Sequence, residues 1–318
     1  MPETNAGTGR RNLPDECDLQ EYSRRWGANR IMIIGENREA VIENIKQAIA
    51  EQDFYRKVEV NDPVLTNAET KAITDKYIRN RKKAGFQGKT LLARGIANVG
   101  SDLLNRKMEI VGDIDETVLR EGAVITSNHF SPLENTIIRY WVRRKGFRKL
   151  NIVSQVTNFA MKGVIGYLMN YGDTIPLSMD MRYLNKEFLE VLKELTDRRE
   201  PVLIYPEQEM WFNYRKPRPL KRGAYFFAAS LHKPIVSCFV EMIDTEEKER
   251  EHFRKVKYRL HILGIIRPDE SKGVKENSEM MCATDYCWKK ATYEKVYGKP
   301  LTYDFEMADI AGWEPNPS

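Results

Sequence analysis

Apolar and polar positions along this chain follow two rhythms, and the change falls near residue 106. Before it the spacing is helical. Ala40, Val41, Ile45, Ala48 and Ile49 recur at three- and four-residue steps and predict a helix within Asn37 to Gln52. Thr66-Asn67-Ala68-Glu69 is a capping-box pattern. It opens a second helix, which ends in the cationic cluster Arg79, Arg81, Lys82 and Lys83. A glycine-containing break from Gly85 to Gly88 leads into a third helix, Lys89 to Asn105, with Leu91, Leu92, Ile96, Val99, Leu103 and Leu104 on roughly one face. Such a face is expected to pack on the main domain, the commoner fate of an amphipathic helix. With the basic residues before it, the alternative is a helix lying on an anionic bilayer. Residues 1–29 read as a polar arm, Asn29 to Ile34 as a short apolar run and Lys57 to Val60 as a short extended piece.

From Arg106 onward short apolar runs alternate with helical spacing. Strands are predicted at Met108–Val111, Ala123–Thr126, Leu150–Val156, Thr174–Leu177, Val202–Tyr205, Ile235–Val240 and Tyr258–Ile266. Helices are predicted at Pro132–Arg144, Phe159–Met169, Met181–Arg198, Gly223–Leu231 and Val274–Tyr297. This alternation predicts an α/β fold, with a mixed, largely parallel central sheet flanked by helices and a mainly helical N-terminal appendage. The expected organisation is an appendage over 1–105, the main domain over 106–300 and a tail over 301–318. The tail from Thr302, with Trp313 and two prolines, reads as an extended segment on the domain surface.

Composition narrows the class. At 318 residues, 42% hydrophobic and 31% charged, the chain is long enough for a large core and is not of disordered type. No run approaches the ~18 apolar residues of a membrane span. The N-terminal stretch is polar and lacks the apolar centre of a secretory signal, so a cytoplasmic protein is expected. A net charge of +5 favours anionic partners: nucleic acid, an acidic membrane surface, or a phosphorylated or thiolated carrier substrate. No recognition helix or RNP-type aromatic set accompanies the basic loops, so nucleic acid is not the expected partner. Cys17, Cys238, Cys282 and Cys287 read as free thiols. They and His129, His232, His252 and His261 have no metal-ligand spacing, and neither metal nor cofactor is expected.

The chemistry concentrates at Ile125-Thr126-Ser127-Asn128-His129-Phe130-Ser131-Pro132-Leu133-Glu134. A strand runs into Asn-His and a helix start follows at once. His129 is thus placed at a strand-to-helix turn, at the sheet edge where open α/β folds bind ligands. Glu134, five residues on, is near enough to orient the imidazole as a general base toward a substrate hydroxyl. The plainer reading is a capping box, with Ser131 as N-cap, Pro132 at the first helical position and Glu134 reaching back to a free N–H. Further along, Val202 to Tyr205 ends in Pro206-Glu207, delivering a carboxylate at a strand's C-terminal end. The loop Asn213 to Gly223 then carries Arg215, Lys216, Arg218, Lys221 and Arg222 just before a helix, an arrangement that suits an anion or simply a solvated loop.

Four blocks in this order carry a resemblance: Asn128-His129-x4-Glu134, Tyr205-Pro206-Glu207, Leu220-Lys221-Arg222-Gly223-Ala224 and Lys233-Pro234-Ile235-Val236. Over about residues 106–300 the chain resembles the glycerophospholipid acyltransferases, the 1-acylglycerol-3-phosphate and glycerol-3-phosphate acyltransferases. The resemblance implies that fold and an acyl-thioester donor, either acyl-CoA or acyl-carrier protein. It implies a lysophospholipid acceptor and peripheral association with the inner face of a membrane. By the same resemblance His129 is the base, Glu134 its orienting acid and Glu207 a holder of the acceptor. Three departures stand out. Glu134 replaces the family's Asp, Met210 occupies the place of the arginine in F-P-E-G-T-R, and the G-x-x-F-I-x-R block falls on Gly172 to Ser178 without its arginine. Either Arg182, Arg215, Lys216, Arg218, Lys221 and Arg222 grip phosphate instead, or the acceptor is not a plain lysophosphatidate. Phe159, Met161, Ile165, Leu168 and Met169 are candidates to line an acyl groove, or else plain core. The rival reading of the same fold is a catalytically silent lipid- or acyl-carrier-binding protein.

Overall fold

Val124, Ile125 and Thr126 form the middle strand of the molecule, and their composition explains why. All three are buried, with no polar alternation, as in a strand covered on both faces. Ile125 points into one apolar cluster with Ile137, Ile138, Trp141 and Val142. Val124 points into another with Val191, Leu192, Ala224 and Met281. The sheet is therefore a central layer between two layers of helices. Gly122, just before this strand, has φ +80°. A Cβ there would overlap the backbone of Thr196, so the strand is entered through a position only glycine fills easily.

The computed structural model describes residues 37–60 and 63–314. In chain order these contain α1 (Arg38–Ala50), α2 (Asn67–Asn80), α3 (Ala84–Asn105), β1 (Glu109–Val111), α4 (Glu116–Leu119), β2 (Val124–Thr126), α5 (Asn135–Arg144) and β3 (Asn151–Gln155). A 3₁₀ turn at Val156–Ala160 leads to α6 (Gly163–Tyr171) and β4 (Thr174–Leu177). A π-helical stretch, Tyr183–Phe188, runs into α7 (Leu189–Asp197), followed by β5 (Val202–Ile204), α8 (Gly223–Ser230), β6 (Ile235–Arg250), β7 (Phe253–Ile266) and α9 (Val274–Tyr297). The strands form one seven-stranded sheet in the order β1-β7-β6-β2-β5-β3-β4. Only the β6–β7 pair is antiparallel. The mixed, largely parallel α/β sheet expected from the sequence is thus the observed one. The described residues all fall in one compact unit. The arm over 1–29, the run Asn29 to Ile34 and Cys17 lie outside the described residues.

Several expectations are corrected. Gly85 and Gly88 lie inside α3, which begins at Ala84, instead of breaking the chain ahead of it. Interior glycine costs a helix about 1 kcal/mol relative to alanine, and contacts elsewhere on α3 outweigh this. Its apolar face also does not pack on the domain: Leu91, Leu92, Ile96, Val99, Leu103 and Leu104 are 47–66% exposed. The buried residues are Thr90, Ala93, Asn98, Ser101 and Asn105. Lys57 to Val60 forms no strand. The predicted helix Phe159–Met169 is split, with Met161 and Lys162 extended between the 3₁₀ turn and α6. Strands β6 and β7 extend beyond the predicted ends as a long hairpin whose far residues are largely charged and exposed, so no apolar rhythm marked them. The tail is not merely laid on the surface. Asp309, Ile310 and Ala311 are buried, and Ile310 and Trp313 bridge to Tyr214 and Phe253.

Candidate active site

The turn after β2 is fixed before any catalytic group is considered. Asn128 is buried and uses its amide twice on β6: Nδ2 donates to the Val240 carbonyl at 3.0 Å, and Oδ1 accepts from the Val240 N–H at 2.8 Å. Thr126 donates to Asp285 Oδ2 at 2.7 Å and accepts from Lys289 Nζ at 3.0 Å. Asp285 and Lys289, one turn apart on α9, form a fully buried ion pair that Ser237 and Tyr225 also join. A charged pair in that setting is tolerated because its hydrogen-bonding capacity is largely filled.

His129 follows directly. Its Nδ1 is bonded to Glu134 Oε1. The other oxygen, Oε2, accepts from the N–H groups of Phe130 and of Ser131, the latter at 2.6 Å. One buried carboxylate therefore serves both sequence readings, capping the turn and holding the imidazole. Ser131 Oγ accepts from Leu133 N–H at 3.3 Å. Residues 132–134 form turns, and α5 proper starts at Asn135 instead of Pro132. A carboxylate acceptor at Nδ1 places the proton there and leaves the lone pair of the neutral ring on Nε2. Among the described residues no protein group bonds Nε2, and the side chain is 22% exposed while that of Glu134 is 3% exposed. The imidazole also stacks on Tyr205, with centroids 4.3 Å apart and planes 9° from parallel. Burial first, and then the adjacent Glu134 carboxylate, hold the Tyr205 phenol far above its ordinary pKa, so it remains protonated.

Glu207 reaches the same turn from β5. Its Oε2 accepts from the His129 backbone N–H at 3.3 Å and from Arg218 Nη2 at 3.0 Å, and its Oε1 from Arg218 N–H at 3.2 Å. Arg218 is itself buried, with Nη1 on the Phe54 carbonyl at 2.9 Å and its guanidinium 4.5 Å from the Trp211 ring centroid. Lys216 is buried against Asp309 Oδ2 at 2.8 Å and the Asp304 carbonyl at 2.7 Å. Neither Lys216 nor Arg218 presents its charge to solvent. Lys221 is half-buried, with its N–H on the Pro206 carbonyl at 2.8 Å and Nζ 3.5 Å from the Tyr55 ring centroid. Arg222 is exposed and pairs with Glu279 at 2.5 Å. Arg182 is exposed beyond the C-terminal end of β4 and has no side-chain partner among the described residues.

The structure thus brings together His129, Glu134 and Glu207, turns Lys216 and Arg218 inward, and leaves Lys221, Arg222 and Arg182 at or near the surface. Phe159 is buried, and Met161, Ile165, Leu168 and Met169 are half-buried along the segment after β3. Sequence reasoning did not find the Tyr205 stack, the Asn128 lock or the Asp285–Lys289 pair. The pair had a signal: two opposite charges four residues apart in a helix that also buries Met281 and Tyr293.

Residues 108–241 match the family model described as Acyltransferase. Among solved structures, that of the 1-acyl-sn-glycerophosphate (LPA) acyltransferase PlsC from Thermotoga maritima is similar, with TM-score 0.45 and 13% identity over 74% of this chain and 96% of that one. No curated protein matches the sequence.

Proposed function

We propose, from the match of residues 108–241 to the Acyltransferase family model, that the chain moves a fatty acyl group from an acyl thioester to a hydroxyl of a lysophospholipid such as 1-acylglycerol-3-phosphate. The single observation behind the mechanism is His129 with Nδ1 held by buried Glu134 and Nε2 left open. Nε2 takes the proton of the acceptor hydroxyl as its oxygen attacks the thioester carbonyl. The carbon–sulfur bond then breaks, the new ester carbon–oxygen bond remains, and the proton passes to the departing thiolate. Glu134 holds the ring in the right tautomer and stabilises the imidazolium formed in passing. No acyl-enzyme is required. Glu207 acts on this site through the backbone of His129 and through Arg218, not as a free carboxylate.

A phosphorylated acceptor needs cations that reach solvent. Lys221, beside Pro206, is the candidate nearest to Glu207 along the chain. Arg222 and Arg182 are the others, while Lys216 and Arg218 contribute by shaping the wall. The acceptor resides in a bilayer, so the protein works as a peripheral protein on the cytoplasmic face of an anionic membrane. The test is purified protein with acyl-CoA or acyl-carrier protein and a panel of lysophospholipids, read by thiol release and by product analysis. Ester formation on a lysophospholipid supports the reading. Tight binding of donor and acceptor with no turnover on any pair would assign the protein to silent carriers.

A further inference from the structure

Two features beside His129 take no part in the proton transfer itself. One is the Tyr205 ring. A bond from Nδ1 to Glu134 fixes where the imidazole sits but lets the ring rock about that bond. Rocking swings Nε2, the atom that must meet the acceptor hydroxyl. Tyr205 lies against the ring face, with centroids 4.3 Å apart and planes 9° from parallel. Its own place is fixed by the sheet. Strand β5 runs beside β2 with Ile204 opposite Thr126, so Tyr205 comes level with the turn that carries His129. The Tyr205 carbonyl accepts from Gln208 N–H at 3.1 Å, and its ring packs on the apolar cluster that contains Phe130 and Ile138.

The other feature is a pair of unfilled hydrogen-bonding groups. An ionised carboxylate has about four acceptor sites. Glu134 fills three, with His129 Nδ1 and the N–H groups of Phe130 and Ser131. The Tyr205 hydroxyl is buried and has no hydrogen-bond partner among the described residues. Burial keeps it protonated, and the charge that acts on it most is the Glu134 carboxylate, ahead of Arg139. An open acceptor and an unclaimed donor thus lie side by side. Each costs stability while buried and unpaired, so the two are driven to close on one another. Glutamate also carries one more rotatable bond than the aspartate of the block this stretch resembles, and F-P-E-G-T-R has a phenylalanine, without a hydroxyl, where this chain has Tyr205. The longer acid and the added phenol occur together here.

We propose that Tyr205 is a positioning residue for the base: its ring keeps the imidazole plane from rocking, and its phenol proton is the fourth anchor of the longer Glu134 carboxylate. Together they aim Nε2 along one line. This deepens the function proposed above, and its turnover arm rests on that reading. The hydrogen-bond arm is read on the free protein and needs no acyl transfer.

The experiment compares the full chain with Tyr205→Phe, which keeps the ring and drops the hydroxyl, and with Tyr205→Leu, which drops both. In the free protein the low-field proton resonance of His129 Nδ1–H is recorded by NMR and assigned by its loss in His129→Gln. It is expected to move further downfield in Tyr205→Phe, because Glu134 loses a competing donor and binds the imidazole proton more tightly. In Tyr205→Leu it is expected to broaden, as the ring rocks and exchanges its proton with water. With acyl-CoA and a lysophospholipid, kcat is expected to fall about two- to tenfold in Tyr205→Phe, the worth of one hydrogen bond. A further loss of ~10-fold or more is expected in Tyr205→Leu, with KM near the parent's in both. Circular dichroism checks that the variants are folded, and Tyr205→Met replaces Tyr205→Leu if the latter is not. A parent without the resonance, an unmoved resonance in Tyr205→Phe, or parent-like line width and kcat in Tyr205→Leu overturns the inference. So does a downfield move in Tyr258→Phe in place of Tyr205→Phe, which would give the anchor to Tyr258, another phenol on which the Glu134 charge acts. A chain that transfers no acyl group overturns the proposed function and leaves the resonance comparison to decide the anchor.

Discussion

The turn from Ser127 to Glu134 and the loop from Asn213 to Arg222 are both polar, both follow a short buried strand, and both lie at the same edge of the sheet. They use their charges in opposite ways. In the turn, the buried member is the carboxylate, and it holds an imidazole whose second nitrogen is left open. In the loop, two of the cations are the buried members, and they bind inward to Glu207 and Asp309. Chain connectivity put both segments beside the site, but it did not decide which way the side chains face. That is decided by what each charge finds once desolvated. Glu134 finds two backbone N–H groups and a ring nitrogen. Arg218 finds a carboxylate and backbone carbonyls, and Lys216 finds a carboxylate and a carbonyl brought by the tail. A cation with such partners is a structural element; of the loop's other cations, Arg215 is bonded to Asp244 and Arg222 forms an exposed pair with Glu279, and Lys221 has no carboxylate partner among the described residues.

The sharpest way to break this comparison is to remove one group from each segment. His129→Ala is expected to lower acyl transfer by ~10²–10⁴-fold, the usual worth of a general base, with the denaturation midpoint unchanged because the ring is partly exposed. Arg218→Met is expected to do the reverse. It leaves Glu207 buried and unpaired, which lowers the unfolding free energy by about 3–5 kcal/mol, measured by urea denaturation. Unchanged stability in Arg218→Met would place that cation with the ligand-facing ones and erase the contrast.

The same contrast explains how much was legible in the sequence. Strand β4 and helix α9 fall where the pattern put them, at Thr174–Leu177 and Val274–Tyr297, because their ends coincide with the ends of apolar runs. The pairing of His129 with Glu134 was legible because a short turn limits how far the two can separate. The outward face of α3 was not, since periodicity reveals that a helix has an apolar side but not what lies opposite it. Only the bonds of Arg94, Asn98, Asp102 and Asn105 to distant segments fix that choice. The burial of Lys216 was hidden for the same reason: its partner, Asp309, lies 93 positions away in a tail that reads as surface chain.

Two finer substitutions sharpen the picture. Glu134→Gln keeps a carbonyl oxygen for the turn's N–H groups but removes the charge facing His129. It is expected to lower turnover about 10- to 100-fold, part of the general-base advantage, with little change in thermal midpoint. Activity at the parent's level would reduce Glu134 to a cap. The smallest effect is expected from Lys221→Gln with Arg222→Gln. Losing a solvent-facing grip on phosphate raises KM for the phosphorylated substrate by about three- to tenfold with kcat near its parent value. An unchanged KM for both substrates would leave Arg182 as the remaining cation of the set.

The most direct measurement of the central claim, direct transfer with His129 as base, is thiol release from acyl-CoA followed in the first turnover, with and without lysophospholipid. The account predicts that the parent releases thiol only when the acceptor is present, in step with ester formation, and that folded His129→Ala releases almost none. A stoichiometric burst of thiol in the absence of acceptor, or undiminished acceptor-dependent release by His129→Ala, would contradict it.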